Sequence, residues 1–148
     1  ETFQENSCYF GSTIAPSSNR IAKAEAPIDG TIYKLEVNDG ENNLHTNYAN
    51  GMNKRIWNAE EVENGVCFTF ELEDMEYGLP GKRTIAVTYT LNDDNEIGID
   101  YKADSDKSTI FNLTNHTYFN LDGHQTNTIL NQKRHHLRCL FCFSRNSL

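Results

Sequence analysis

The sequence predicts an all-β fold of antiparallel strands with almost no helix. Three observations carry this. Through the middle of the chain, apolar and polar residues alternate with period two. Asn, Asp, Gly and Pro punctuate these runs with turn chemistry. No stretch shows a sustained apolar period of 3.6 residues. Strands with one greasy face close a core as a β-sandwich or as a large folded sheet.

The elements follow in order. Asp29-Gly30 reads as a turn feeding a strand over residues 31–37. Over 66–72, Val66, Phe68, Phe70 and Leu72 share one face against Cys67, Thr69 and Glu71. Leu79-Pro80-Gly81 is a turn. Over 84–91, Ile85, Val87, Tyr89 and Leu91 oppose Ala86, Thr88 and Thr90. Asn92-Asp93-Asp94-Asn95 reads as a hairpin loop, because Asn and Asp tolerate left-handed backbone and bond their own main chain. Ile97, Ile99 and Tyr101 then line a further strand. Residues 1–131 are expected to belong to one domain. Residues 132–148 depart from the pattern: they hold Lys133, Arg134, Arg138 and Arg145, no acidic residue, and an apolar run without alternation. This tail is expected to lie outside the domain.

Composition narrows the function. The chain has 148 residues, enough for one core, with 13 basic and 21 acidic residues and a formal charge of −8. That balance argues against nucleic acid or an anionic membrane surface as the partner. Mean hydropathy is −0.66, and no apolar run approaches the length of a membrane span. No signal-peptide pattern opens the chain, which begins on Glu1. The four cysteines, Cys8, Cys67, Cys139 and Cys142, are too sparse for a disulfide scaffold and read as reduced thiols of a cytoplasmic protein.

The most informative run is Asn115-His116-Thr117-Tyr118-Phe119-Asn120-Leu121, which reads as a strand. A strand made only for packing has little use for a histidine among amides, hydroxyls and aromatics. A sugar site has: amides and hydroxyls meet sugar hydroxyls, rings cover a pyranose face, and an imidazole moves a proton near neutral pH. Strand phasing would place Asn112, Thr114, His116 and Tyr118 on the sugar side, with Phe111, Leu113 and Phe119 packed behind.

Several segments in shared order resemble the aldose 1-epimerases. They are Tyr9-Phe10-Gly11-Ser12-Thr13-Ile14, Ser18-Asn19-Arg20-Ile21-Ala22, Leu35-Glu36-Val37-Asn38-Asp39-Gly40, Asn43-Leu44-His45, Lys54-Arg55-Ile56-Trp57, Gly78-Leu79-Pro80-Gly81, and residues 112–121. The resemblance spans about residues 9–131 and implies an antiparallel β-sandwich of galactose mutarotase type. It implies interconversion of the α and β anomers of a free hexose such as galactose or glucose. The anomeric hydroxyl loses a proton, the ring oxygen gains one, the ring opens, and it closes on the other face of C1. No cofactor and no metal are implied. His116 would be the general acid. His45 would be a second catalytic and sugar-binding group, near the ring oxygen or a neighbouring hydroxyl. Asn19 and Arg20 would bind sugar hydroxyls, and Thr117 and Tyr118 would line the pocket. The oligomeric state is left open.

Departures from the family pattern are equally specific. The family's His-Gly-Gly is His45-Thr46-Asn47 here, and its leading Gly-Arg is replaced within Ala15-Pro16-Ser17-Ser18. The family's general base, a glutamate, and a sugar-binding aspartate belong beyond the end of this chain, and its first strands before Glu1. The expectation is a central part of the fold, truncated at both ends, whose catalysis is incomplete. A carbohydrate-binding domain without chemistry is the alternative. A hexose-6-phosphate epimerase is another, which would require a basic cluster that the sequence does not show. Cys139-Leu140-Phe141-Cys142 with His135-His136 lacks the turn residues of a zinc site, and the acids over 60–76 fit no calcium-loop spacing. Trp57 reads as core rather than as a sugar platform.

Overall fold

The computed structural model describes residues 8–120 and Gly123. Every named strand pairs antiparallel with its neighbours. The helical content of the described residues is limited to 3-10 turns at Ala22–Ala24, Met52–Lys54 and Glu76–Gly78. The expected all-β, nearly helix-free fold is the observed one.

Its backbone is a four-stranded sheet formed by β6 (Asn58–Val62), β7 (Gly65–Leu72), β8 (Arg83–Leu91) and β9 (Ile97–Ser105), paired in that order. The alternation read from the sequence becomes the two faces of this sheet. Phe70 lies opposite Ile85, Val87 opposite Phe68 and Tyr101, and Ile99 opposite Tyr89. Such directly opposed pairs are what stabilises a sheet. Phe70, Leu72, Ile85, Val87 and Ile99 are buried, while Glu71, Thr84, Asp100, Lys102 and Asp104 face solvent. The loop at 92–95 is the expected hairpin: Asn95 is left-handed, and the Asn92 side chain accepts from the amides of Asp94 and Glu96. At the β6–β7 turn, a Cβ on Gly65 would collide with the carbonyl of Tyr89 on the neighbouring strand.

The β7–β8 connection is held from inside. Arg83 is 1% exposed, yet its guanidinium donates to the carbonyls of Gly81, Glu73 and Glu76 at 3.0, 3.1 and 2.7 Å. One buried cation thus satisfies three main-chain acceptors of an irregular loop.

The sheet's apolar face is covered by segments from elsewhere. Strand β1 (Thr13–Ile14) pairs with β10 (Thr114–Asn115), and next to them Ala15 and Leu113 join Met52 in the core against Phe70, Leu72, Ile85, Val87 and Ile99. Trp57 packs on Phe70 with ring centroids 5.5 Å apart, as a core-edge residue. Two further ladders complete the set: β2 (Arg20–Ile21) with β5 (Asn43–Leu44), and β3 (Glu25–Ile28) with β4 (Thr31–Lys34). Asp29 and Gly30, both at positive φ, make the tight turn between β3 and β4.

Two strand expectations change. Strand β4 stops at Lys34 rather than at residue 37, because side-chain amides take over the pairing. Asn43 donates to the Glu36 carbonyl, and Asn38 exchanges hydrogen bonds with the main chain of Leu44. Of the run at 115–121, Leu121 lies outside the described residues, and residues 115–120 are a strand only at their start, in β10. There the Asn115 side chain accepts from the Thr117 amide at 2.9 Å, a local bond that turns the chain out of the ladder. Strict alternation is lost with it, and Phe119 is 49% exposed instead of packed behind. Leu113 is buried and Phe111 packs on the core, as phased. The tail at 132–148, with Cys139, Cys142, His135 and His136, lies outside the described residues.

Candidate functional site

Two short segments far apart in sequence bring the histidines together. His45 follows β5. Its amide donates to the Asn19 carbonyl at 3.1 Å, and the Asn19 amide donates to His45 Nδ1 at 3.0 Å. Both residues sit at positive φ. With Nδ1 used as an acceptor, the neutral ring carries its proton on Nε2. His116 follows β10 and is anchored by its own amide to the Ser12 carbonyl at 2.8 Å.

The imidazoles of His45 and His116 lie edge to face with centroids 5.2 Å apart. Tyr9 touches both, at 5.1 and 5.5 Å, and Tyr118 packs on His116 at 5.5 Å. Both imidazoles and the Tyr118 ring border a pocket of about 400 Å³ lined by Ser18, Asn19, His45, Thr114, Asn115, His116, Thr117 and Tyr118. The lining is continuous from Thr114 to Tyr118 because the chain has turned out of its strand. A somewhat larger groove, about 470 Å³, lies along Ser12, Thr13, Arg55, Trp57 and Tyr89 and contains no imidazole. The two imidazoles, the groups able to move a proton near neutral pH, therefore line the smaller one. A hydrogen bond links the two linings: Asn115 Nδ2 donates to the Tyr89 hydroxyl at 2.8 Å.

Burial and charge tune His45. His45 is pulled below the usual imidazole value, first by burial and then by the nearby His116 and Arg20. It therefore favours the neutral form, which can donate through Nε2 and accept through Nδ1. Tyr9 is pushed up by burial, with Tyr48 and Glu36 adding to it, so its hydroxyl stays protonated.

Of the residues singled out from the sequence, Asn19, His45, His116, Thr117 and Tyr118 line one pocket. Arg20 does not. Its Nε donates to Asp39 Oδ2 at 2.7 Å on the exposed side of the β2–β5 ladder, and it reaches His45 only through its field. Sequence reasoning passed over Tyr9 as the ring bridging the two imidazoles, and Ser18 as part of the wall. Tyr9 stood in a matched segment, but nothing there distinguished a site ring from a core ring. Among the described residues, no group of three or more His, Cys, Asp and Glu side chains is arranged to hold a metal ion.

Comparison with known proteins gives these residues a family. The family model described as aldose 1-epimerase matches residues 1–136. The aldose 1-epimerase of Haemophilus influenzae is 41% identical over 124 residues, covering 83% of this chain and 36% of that protein. The galactose mutarotase of Sus scrofa is 43% identical over 115 residues, covering 78% of this chain and 33% of that one. Among solved structures, a GalM/aldose epimerase homologue from C. elegans superposes with a TM-score of 0.76 at 35% identity, covering 84% of this chain and 38% of its own. The galactose 1-epimerase of Lactobacillus acidophilus gives 0.71 at 28% identity, covering 80% and 36%. The chain thus spans about a third of the length of the relatives it matches. Its antiparallel β-sandwich is of the galactose mutarotase type, and the chain belongs to the aldose 1-epimerase family.

Proposed function

We propose that this chain supplies the sugar-gripping and proton-donating side of a cytoplasmic aldose 1-epimerase acting on a free hexose such as galactose or glucose. One observation carries the reading: two imidazoles, 5.2 Å apart, one with its tautomer set by a main-chain amide, border a hollow of sugar size lined with amides and hydroxyls. In this reading His116 gives its proton to the ring oxygen as the C1–O5 bond breaks, while the anomeric hydroxyl loses its own to a base. Rotation about C1–C2 and reclosure, with the proton transfers reversed, yield the other anomer. His45, donating through Nε2–H, holds the ring oxygen or its neighbouring hydroxyl in line. Asn19, Thr117 and Tyr118 orient the pyranose, and Arg20 acts from the rim through its charge. The bonds made and broken need no redox partner.

Polarimetry of freshly dissolved α-D-galactose tests this. The chain is expected to speed the approach to anomeric equilibrium, and His116→Ala to remove on the order of a hundredfold of that acceleration, the scale of a lost general acid. An unchanged rate in the variant would sink the assignment. Among the described residues, the pocket lining holds no carboxylate to take the anomeric proton. That favours a second reading, sugar binding without turnover. Galactose binding by titration with no acceleration in polarimetry would establish it.

A further inference from the structure

We propose that Thr46 is a positioning residue: its buried hydroxyl staples the His45 loop to the Ser17–Asn19 segment and so sets the tautomer and aim of the His45 ring. Thr46 sits at φ +72, a conformation that β-branched residues rarely adopt. Such an outlier persists only where its surroundings over-determine it. Here they do. Thr46 is 4% exposed; its Oγ1 accepts from the Ser17 amide at 3.0 Å and lies 2.7 Å from the Ser17 carbonyl, to which it donates. Its own carbonyl accepts from Asn43 Nδ2 at 2.8 Å, and Asn43 is 1% exposed.

These bonds continue the ladder that grips the imidazole. Asn19 and His45 exchange two hydrogen bonds, main chain to main chain and main chain to Nδ1. Ser17 and Thr46, on the same two segments, exchange two more through the hydroxyl. A glycine would adopt this backbone without strain. It could not supply the second pair. The chain therefore accepts a strained residue where its hydroxyl closes the clamp, and the Asn19 amide stays in register with Nδ1.

The proposal uses the reading of His45 as a sugar ligand only for its effect on affinity, so the test has two independent readouts. Long-range ¹H–¹⁵N spectra of His45 report the tautomer without any sugar. The wild type and Thr46→Ser should show a single Nε2–H form. Thr46→Val and Thr46→Gly should show a mixture of tautomers and bind galactose about fivefold more weakly, the worth of one net hydrogen bond. Thr46→Gly is decisive, because it relaxes φ while deleting the hydroxyl and remains informative if the valine variant does not fold. A pure Nε2–H signal in the glycine variant would overturn the proposal. A wild type that binds no galactose would defeat the functional reading, while the ring spectra would still decide the staple.

Discussion

The four-stranded sheet and the histidine pocket are made in opposite ways. From β6 to β9, each residue's job repeats every second position, and positive φ is confined to the linking turns and loop, as at Asn64 and Asn95. Around the pocket nothing repeats. Tyr9, Asn19, His45 and Thr46 all take positive φ, and the contacts that matter run between side chains and main chain. The sheet spreads its specification over many weak, redundant pairs. The pocket concentrates its own in a few bonds without substitutes. Damage to the first should appear as lost stability, and damage to the second as lost chemistry.

Four substitutions or conditions sharpen or break that contrast. Ile85→Ala should have the largest effect. Ile85 is fully buried at the sheet centre, and the cavity should cost about 3 kcal/mol by urea denaturation. A midpoint near wild type would mean that this face is not the core. Arg83→Met keeps the bulk but leaves three carbonyls of the β7–β8 loop without their donor, for about 2 kcal/mol. His116→Ala, which should lower the acceleration about a hundredfold, is expected to shift stability by less than about 1 kcal/mol. A large loss there would reassign the ring to packing.

The smallest effect is one of pH. His45 is depressed in the folded protein relative to an ordinary imidazole at 6.5. As pH falls below that value, the unfolded chain takes up the proton first. The stability contributed by keeping the ring neutral is therefore present above pH 6.5 and lost as pH falls through the lower folded value. Comparing urea midpoints of wild type and His45→Gln from pH 7.5 downward isolates this contribution. Parallel curves would show that the ring is not depressed.

The difference in construction also explains what could be read from the sequence. Val66 to Leu72, Ile85 to Leu91 and Ile97 to Tyr101 revealed their faces because a one-residue slip would expose every apolar side chain of a half-buried strand. His45, His116, Asn19, Thr117 and Tyr118 were legible as residue types in a familiar order. Their arrangement was not. Thr117, Tyr118 and Phe119 favour strands by propensity, yet the Asn115 side chain ends the strand at once. Arg20 looked like a sugar ligand because its charged fork suits one, but Asp39, 19 residues away, engages it first. Thr46 stood out only as a replacement for glycine, since its role depends on Ser17, 29 residues earlier. Local pattern carries strand faces. Tertiary hydrogen bonds decide where a polar side chain is spent.

Tyr89 belongs to both regions. Its ring continues the β8 face opposite Ile99, while its hydroxyl receives the Asn115 amide two residues from the Thr117 turn. That phenol works like a hinge pin driven through two plates. Where β8 sits therefore helps to fix the course of the segment that bears His116.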